Sequence, residues 1–482
     1  MDIPMERIDA CRLRIPRSYQ AGMKVDGIIY ADERLEKSIR DDKSPEQVVN
    51  VAHLPGIVRA SFAMPDIHWG YGFCIGGVAA TEVEAGGFVS PGGVGYDINC
   101  GVRLVRTDLE AEEVKKVARK LAETLFKKVP CGVGVGGDVK FSREDEKHIL
   151  REGVPYVVKR GFGRPADIEH TEARGALEDA DPEAVSPRAY QRGADQCGTL
   201  GAGNHFVEVQ IVEEIFDKDL ARAMRVEKGL VTVMIHSGSR GLGHQVCEDY
   251  LKVLANAPGK YGARLPDRQL AGAPVESPEG RQYLGAMRSA ANFAWSNRQI
   301  LMCHVRRAFA EVFGRSDEKL GMELVYDVAH NIAKIENHEV DGKIRKLCVH
   351  RKGATRAFGP GHPELPEDYR ATGQPVIIPG DMGRASYLLA GTQKAMQETF
   401  GTTCHGAGRL MSRHAAIRAA QGRSIEKELA EKGIIVRAGS RAGIAEEQPA
   451  AYKDVEVVVD VVVRAGLSKR VARMRPLCVI KG

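Results

Sequence analysis

The sequence predicts an α+β protein. Short β-branched runs, typical of strands, are interspersed with segments of helical composition along the whole chain. We find no repeat period, no low-complexity linker and no break in composition, which predicts a single domain over residues 1–482. Several glycine-rich segments present His, Cys and Asp, which predicts one shared site.

The first quarter of the chain contains one predicted helix and a glycine-rich region. Ser44, followed by proline, predicts a helix over residues 44–53 with Ser44 as N-cap and the proline at N1. Residues 64–100 are dense in glycine and favour loop and short strand. Residues 110–128 form the clearest amphipathic helix, because their Val and Leu side chains recur on one stripe.

The remainder of the chain mixes strand-like runs with helical segments. Residues 140–192 are polar and helix-leaning, and residues 283–313 have the composition of a long helix. Short apolar runs predict strands over residues 206–212, 230–235, 324–329, 347–350 and 376–378. Each of these strands runs towards, or begins at, a polar or glycine-rich turn.

The C-terminal run of valines over residues 455–463 poses a conflict. Its β-branched composition favours a strand, yet the valines recur at helical spacing. Asp454 precedes the run as a possible N-cap, and Gly466 follows it as a stop signal. We predict a helix.

The net charge and the cysteine spacing exclude only a few classes of function. Sixty-nine Lys and Arg against 64 Asp and Glu give a formal charge of +5, a bias too small to identify a nucleic-acid partner. The ten cysteines are scattered without a C-x-x-C pair, which argues against a zinc ribbon or a disulfide framework and favours a reducing compartment. No segment reaches the roughly 18 apolar residues of a membrane span. The prediction is a cytoplasmic protein without a membrane partner.

Five short segments present metal-ligand side chains beside glycine turns. They are residues 97–101, 203–205, 235–240, 329–331 and 404–408. A lone His is more often structural, but five such segments are hard to explain by packing alone. A thiolate can ligate two cations, so Cys100 is a candidate bridging ligand beside Asp97. By residue type alone, Cys and His ligands favour zinc.

The segment around His405 has a further signal. Gly406-Ala407-Gly408 follows it, and successive amides without bulky side chains form an anion nest, which favours phosphate binding. His405 could instead be a further metal ligand or a structural histidine. Covalent catalysis by an imidazole nitrogen is chemically reasonable, because it divides one hard displacement into two easier ones.

These motifs, with residues 350–355, 379–386 and 481–482, resemble those of the RtcB family, the GTP-dependent RNA ligases that join a 3'-phosphate or 2',3'-cyclic phosphate end to a 5'-hydroxyl end. The resemblance covers nearly the whole chain. It implies an RtcB-like fold, a single large α+β domain with mixed and antiparallel sheets flanked by helices around a central metal site. It further implies two Mn(II) ions and GTP as cofactors, and GMP covalently attached to a histidine. It also implies RNA as the substrate, in the form of tRNA halves and broken RNA ends, and the activating protein archease as a partner of many members.

The resemblance assigns roles to individual residues. It implies that Asp97 and Cys100 hold two metal ions, with His205 completing one site and His236 and His330 the other. It makes His405 the nucleophile that takes GMP. The nucleotide-contacting positions that it implies are Asn204, His205, Phe206, Val207, Glu208, His330, Asn331, Pro379, Gly380, Asp381, Met382, Ser386, His405, Gly406, Ala407, Gly408 and Lys481.

A carboxylate such as Glu208 can accept from guanine N1–H and N2–H₂, while a lysine such as Lys481 donates to O6 or N7, a pattern that adenine cannot match. Two positions depart from the family pattern. Asp381 stands where the family usually has Ser, and Ile67 where it usually has Gly. The family pattern therefore does not predict the side-chain contacts at these two positions.

Two groups of neighbouring residues are weaker candidates. Asp66 and His68 are expected to support the metal ligands or to contact the RNA 5' end. Five basic residues are expected to contact phosphate: Arg192, Arg240, Lys352, Arg409 and Arg413. The other histidines are expected to be structural or surface residues: His53, His148, His170, His244, His304, His338, His362 and His414.

Two other functions are compatible with the same residues. A binuclear metal-dependent phosphoesterase acting on RNA ends needs the metals but no purine pocket, and would be indifferent to GTP. An RNA-binding module would use the metals structurally, with closed coordination and no turnover.

Overall fold

The computed structural model describes residues 3–132 and 134–482 and confirms the α+β class. The strands are β1 (Glu6–Asp9), β2 (Arg12–Ile15), β3 (Asp26–Tyr30), β4 (Ile57–His68), β5 (Ile75–Glu82), β6 (Phe88–Val89), β7 (Gly101–Glu110), β8 (Phe206–Ile215), β9 (Leu230–Ser237), β10 (Ala273–Pro274), β11 (Glu323–Ala329), β12 (Asn331–Val340), β13 (Lys343–Lys352), β14 (Ala354–Arg356), β15 (Pro375–Ile378), β16 (Ser386–Gly391), β17 (Thr402–Cys404), β18 (Ile435–Ala438) and β19 (Ser468–Lys481).

The helices are α1 (Glu33–Arg40), α2 (Ser44–Val51), α3 (Ala111–Lys128), α4 (Arg143–Glu152), α5 (Val154–Lys159), α6 (Pro165–Glu169), α7 (Pro187–Gly193), α8 (Lys218–Ala223), α9 (Arg240–Val253), α10 (Ala257–Lys260), α11 (Pro278–Phe313), α12 (Gln393–Thr399), α13 (Arg413–Ala419), α14 (Ile425–Glu431), α15 (Arg441–Glu446) and α16 (Val455–Arg464). Among the described residues, none of these helices is long and apolar enough to cross a membrane.

Two large sheets organise the fold. The first has seven strands in the order β1-β2-β3-β4-β5-β13-β12 and is antiparallel except between β3 and β4. The second has eight strands, with the path β11-β7-β9-β8-β19-β16-β15 and with β18 paired in parallel to β19. Strands β14 and β17 form a separate antiparallel ladder that ends at Cys404. The segment that follows Cys404 therefore leaves the ladder directly.

The long helix α11 packs against the second sheet. Ser277 caps its start by accepting a hydrogen bond from the Gly280 amide, and Gly314, with φ of 64°, closes its end. The buried Arg298 of this helix donates to the Asn99 carbonyl at 2.7 Å and to Asp327 at 2.8 Å. This arginine fixes the turn before β7, in which Asn99 has a left-handed φ of 52°.

Several predicted elements are confirmed, and two need correction. The amphipathic helix is α3, the long helix is α11, and the valine run is the helix α16, capped by Asp454. The prediction of Ser44 as N-cap was wrong by one position. Lys43 is the N-cap, Ser44 lies inside the first turn with its buried hydroxyl unpartnered among the described residues, and the helix ends at Val51.

The expectation of loop and short strand over residues 64–100 holds for residues 69–74 and 83–100, where β6 has two residues, but it missed the lengths of β4 and β5. Strand β4 is 12 residues long and β5 is 8, and both are interior strands of the first sheet. Gly77 within β5 serves close packing, since a Cβ there would lie 2.8 Å from the Cys74 carbonyl oxygen, whereas Gly72 and Gly86 have left-handed φ values of 71° and 72° and serve turns. From the sequence alone, the high density of glycines predicted turns.

Candidate active site

Four neighbouring strands bring the Asp, Cys and His side chains to one edge of the second sheet. Cys100 directly precedes β7, His205 directly precedes β8, His236 lies near the end of β9, and His330 directly follows β11. These strands are antiparallel neighbours in the order β11-β7-β9-β8, so the start of one lies beside the end of the next. Residues separated by more than two hundred positions therefore meet.

The ligand atoms of these side chains are in close contact. Cys100 Sγ lies 3.5 Å from His205 Nε2 and 3.3 Å from His236 Nε2. His236 Nε2 lies 3.3 Å from His330 Nε2, and His205 Nε2 lies 2.9 Å from Asp97 Oδ2. Two groups result, with ligand atoms within 4.8 Å of one another: Cys100, His236 and His330, and Asp97, Cys100 and His205. Cys100 belongs to both.

The hydrogen bonds around the cluster fit a role as metal ligands. His205 Nδ1 contacts the Leu200 carbonyl oxygen at 2.9 Å, and His236 Nδ1 contacts the Asn204 carbonyl oxygen at 3.1 Å. A carbonyl can only accept, so Nδ1 of each ring donates and Nε2 faces the centre, where a bound cation would take the place of the proton that His205 Nε2 donates to Asp97. Lone pairs that face one another and a thiol suit bound cations between them. The donor set fits two cations that share Cys100.

Burial shapes the ionisation of the cluster. Burial, together with the neighbouring Asp97, raises the pKa of the Cys100 thiol well above its ordinary value. Burial also tends to raise the pKa of Asp97, but the hydrogen bond and charge of His205 outweigh it and lower that pKa overall. Asp97 Oδ1 additionally accepts from the Ser239 amide at 2.9 Å. A bound cation would favour the thiolate form of Cys100.

His405 is held by a buried carboxylate from the first sheet. Its Nδ1 donates to Asp66 Oδ2 at 2.6 Å, and the same oxygen accepts from the backbone amides of His405 and Gly406 at 2.9 and 3.2 Å. Asp66 is fully buried, and although burial raises its pKa, the His405 ring and these amides lower it overall. The hydrogen bond leaves Nε2 of His405 as the nitrogen with a free lone pair, and the ring lies 4.9 Å from that of His330.

Lys453 ties together the backbone segments that surround Asp66. Its Nζ donates to the carbonyl oxygens of Pro65 at 3.1 Å and of Ile67 at 2.5 Å, on either side of Asp66. Its amide donates to the Gly408 carbonyl at 2.9 Å. Burial lowers the pKa of the Lys453 ammonium to about 8. The segments of Asp66 and His405 are thus fixed to one another from a third part of the chain.

Cys100, His236, His330, His405 and Lys453 line one pocket of about 820 Å³, and Asp66 lies outside its lining. Of the residues predicted as metal ligands, nucleotide contacts or nucleophile, those that line it are Asp97, Cys100, Asn204, Phe206, Glu208, His236, His330, Asn331, Pro379, Gly380, Asp381, Met382, His405, Gly406, Ala407, Gly408 and Lys481. Three others do not line it. His205 lies in the metal-ligand cluster, Val207 is buried in the core on the other face of β8, and the Ser386 hydroxyl accepts from the Gly380 amide at 3.2 Å.

One side of the pocket is built from buried charged groups. Strands β8 and β19 pair Phe206 with Lys481, which brings Glu208 and Lys481 onto one face of the second sheet. Burial raises the pKa of Glu208 to about 8, and the charge of Asp381 adds to this effect. A hydrogen bond from Gln210 at 2.6 Å acts in the opposite direction. Burial lowers the pKa of Lys481, and its Nζ donates to the Gly203 carbonyl at 2.7 Å.

Asp381, which departs from the family pattern, also faces this side. Its Oδ1 accepts from the Gly383 amide at 2.9 Å, while burial raises its pKa. Its Oδ2 lies 3.4 Å from the Arg384 guanidinium but has no hydrogen-bond partner among the described residues. The loop therefore presents a free carboxylate oxygen where a serine would present a hydroxyl.

The five predicted basic residues differ in their surroundings. Arg409 and Arg413 line the pocket, where Arg409 contacts Glu447 at 2.9 Å and Arg413 contacts Glu446 at 3.0 Å. The remaining three do not line it. Lys352 donates to the carbonyls of Tyr71 and Gly92, Arg240 donates to Thr199 at 3.1 Å, and Arg192 donates to Gln245 at 2.9 Å.

Three further residues of the pocket, Glu447, Tyr452 and Lys453, were not predicted from the sequence. The hydroxyl of Tyr452 donates to Glu447, the guanidinium of Arg409 contacts both, and Lys481 Nζ lies 3.7 Å from Glu447. Glu447 is almost fully buried. These residues come from a segment without glycine turns or metal-ligand residues, so no sequence signal marked them.

Comparison with known proteins gives consistent matches along the chain. A family model described as tRNA-splicing ligase RtcB matches residues 47–482. The chain is 56% identical over 478 residues to the tRNA-splicing ligase RtcB of Archaeoglobus fulgidus, covering 99% of each chain. It is 54% identical to that of Thermococcus kodakarensis, covering 100% of this chain and 99% of the relative, and 48% identical to that of Nanoarchaeum equitans, covering 100% of both.

Proposed function

The chain belongs to the RtcB family and is an RNA ligase of tRNA splicing, and we propose that it joins RNA 2',3'-cyclic phosphate or 3'-phosphate ends to 5'-hydroxyl ends with GTP and Mn(II). The observation that supports this most directly is the Asp66–His405 hydrogen bond of 2.6 Å beside a cluster of metal-ligand side chains. A histidine with its Nδ1 proton fixed and Nε2 free is arranged as a nucleophile.

In the first step, His405 Nε2 attacks the α-phosphate of GTP. The N–P bond forms, the bond to the β-phosphate oxygen breaks, and pyrophosphate leaves. Asp66 holds the Nδ1 proton and stabilises the positive charge that develops on the ring. The Gly406 amide donates to Asp66, so the phosphate contacts proposed for this segment are the amides of Ala407 and Gly408. Gly408 has a left-handed φ of 74°, and a Cβ there would lie 2.3 Å from the Asp66 carbonyl oxygen.

In the later steps, the enzyme hydrolyses a cyclic phosphate end to a 3'-phosphate and transfers GMP from His405 to that phosphate. The 5'-hydroxyl of the second strand then attacks the activated phosphate and displaces GMP. Asp97, Cys100, His205, His236 and His330 would hold two cations. When bound, these cations neutralise phosphate charge and orient in-line attack.

Guanine specificity is proposed for the side of the pocket built from the second sheet. A buried carboxylate on Glu208 can accept from guanine N1–H and N2–H₂, and Lys481 can donate to O6 or N7. Phe206 and Tyr452 supply aromatic surface beside them. Adenine would leave the guanine-facing acceptor of Glu208 and donor of Lys481 unmatched, at a cost of about 1–3 kcal/mol per group.

Manganese is proposed over zinc, although Cys and His ligands suit zinc, because a catalytic pair must keep open positions for phosphate oxygens. Zinc should therefore inhibit by displacement. We also propose that residues 1–482 act as one unit, because both sheets contribute to the pocket, and that the enzyme acts in the cytoplasm on tRNA halves and broken RNA, with archease as an activator.

The experiment that tests the proposal labels the nucleophile. Protein incubated with Mn(II) and GTP labelled at the α-phosphate should retain label that is released in acid and survives alkali, as expected of a phosphoramidate. GTP labelled at the γ-phosphate should leave none. The His405→Ala variant should lose the adduct while keeping its metal. A wild-type enzyme that processes RNA ends equally well without GTP would instead be the phosphoesterase.

A further inference from the structure

The pocket around His405 has two sides, and the proposed nucleotide site uses only one. The guanine side comes from the second sheet, through β8, β19 and the loop after β15. The opposite side comes from the first sheet and the α1–α2 region. Its lining residues are Ser38, Asp41, Asp42, Ile67, His68, Trp69 and Ile75. His405 connects the two sides, because Asp66, its hydrogen-bond partner, immediately precedes Ile67 on β4.

Trp69 gives this second side an exposed aromatic surface. Its side chain is 45% exposed, and Leu410, which lines the same pocket, is 52% exposed. The backbone after Trp69 is fixed, since the Gln47 amide side chain donates to the Gly70 carbonyl at 2.8 Å and accepts from the Gly70 amide at 3.0 Å. A large apolar side chain held open beside a reacting group is typical of a surface that a ligand covers.

The charges on this side favour a nucleoside over a phosphate. The carboxylates of Asp41 and Asp42 would repel phosphate but accept hydrogen bonds from hydroxyl or amino groups. The Oδ2 atom of Asp42 is buried and has no hydrogen-bond partner among the described residues. His68 is a neutral neighbour, since burial lowers its pKa to about 4. An aromatic side chain beside acceptor oxygens can bind a nucleoside, because the ring stacks on the base and the oxygens accept hydrogen bonds from the sugar hydroxyls or the base amino groups.

We infer that the second side of the pocket binds the terminal nucleoside of the RNA strand that bears the 3'-phosphate, with its base stacked on Trp69. This inference rests on the proposed function, because GMP must pass from His405 to that 3'-phosphate. The phosphate must then lie at His405, and the nucleoside attached to it must lie beside His405 and away from the guanine. Stacking on an aromatic side chain accepts any of the four bases, which suits a ligase that acts on varied ends.

The test measures GMP transfer from guanylylated enzyme to 3'-phosphate RNA, with rates normalised to the amount of guanylylated His405. Normalisation removes effects on folding or on GTP binding. The Trp69→Ala variant should raise KM for RNA about 5- to 150-fold, the factor expected for loss of one stacked base. Trp69→Phe should recover most of this loss. Phe216→Ala, which removes an exposed aromatic outside the pocket, should have no effect.

Abasic substrates identify the ligand. With an abasic 3'-terminal nucleotide, wild type should lose a similar factor, and Trp69→Ala should lose nothing further, because the two changes remove the same contact. In full ligation, an abasic residue at the 5'-hydroxyl end should leave the Trp69 effect intact. The inference is overturned if wild type does not discriminate against the abasic 3' end, or if Trp69→Ala costs the same on abasic and intact 3' ends. Failure of the proposed function would appear separately, as wild-type protein that is never labelled by GTP.

Discussion

Asp66 accepts a hydrogen bond of 2.6 Å from His405 Nδ1 across the boundary between β4 and the segment that follows β17. The two residues are 339 positions apart in the chain. The carboxylate fixes which ring nitrogen holds the proton and therefore which nitrogen can attack. Four predictions follow from this pair and its surroundings.

The first concerns Asp66→Asn. The asparagine oxygen can still accept from Nδ1 and from the two backbone amides, but the negative charge that stabilises the ring as it becomes positive is lost. We expect the rate of His405 guanylylation to fall by about 10²- to 10⁴-fold, the usual range for a lost acid–base partner. Single-turnover labelling with α-labelled GTP measures this rate, and metal content serves as the control. A rate within a few-fold of wild type would contradict the positioning role.

The second concerns the metal ligands. Only Cys100 belongs to both ligand groups. We therefore expect Cys100→Ala to lose both metal ions and His330→Ala to lose mainly one. Metal analysis of the purified variants gives the stoichiometry, with His414→Ala as a control outside both groups. Equal losses in the Cys100 and His330 variants would reject bridging by the thiolate.

The third concerns the pH dependence of GTP binding. Burial raises the pKa of Glu208 to about 8 in the free protein, and guanine donors would favour the carboxylate. Binding then releases a proton below this pKa, so GTP affinity should rise with pH up to about 8, by at most tenfold per pH unit, and level off above it. Calorimetric titration at several pH values measures the affinity.

The matched control for this experiment is Glu208→Gln. It should bind GTP more weakly, reduce the preference over ATP and flatten the pH profile. Unchanged competition between GTP and ATP in this variant would remove Glu208 from guanine recognition.

The fourth concerns Lys453. Replacing it with methionine leaves the Pro65 and Ile67 carbonyls without their donor, at about 1–3 kcal/mol each, and loosens Asp66. We expect guanylylation of His405 to fall more than sealing of RNA that already bears a 3' GMP cap, because only the first reaction needs the imidazole. Lys453→Arg, which keeps the charge, should lose less. Equal loss in both reactions would indicate a merely structural role.

The candidate site was more predictable than its supporting structure. Asp97, Cys100, His205, His236 and His330 stand beside glycine turns at strand ends, a pattern visible in the chain itself. Their approach to within 4.8 Å depends on the order β11-β7-β9-β8, which no local pattern encodes.

The same distinction applies to the missed and corrected elements. Lys453 acts through its Nζ on carbonyls nearly four hundred residues away, so its role depends on tertiary contacts alone. The valine helix α16 was predictable because its spacing outweighed its composition. The length of β4 and β5 was not, because glycine signals both turns and close packing.

The position of β19 in the second sheet has a consequence for synthesis on the ribosome. This strand, near the end of the chain, lies between β8 and β16 in the interior of the sheet and contributes Lys481 to the pocket. A nascent chain that lacks it has a gap between two strands and an incomplete pocket. The proposed ligase should therefore stay inert towards GTP until β19 has been synthesised and has entered the sheet, and chains that stall before β19 would consume no nucleotide.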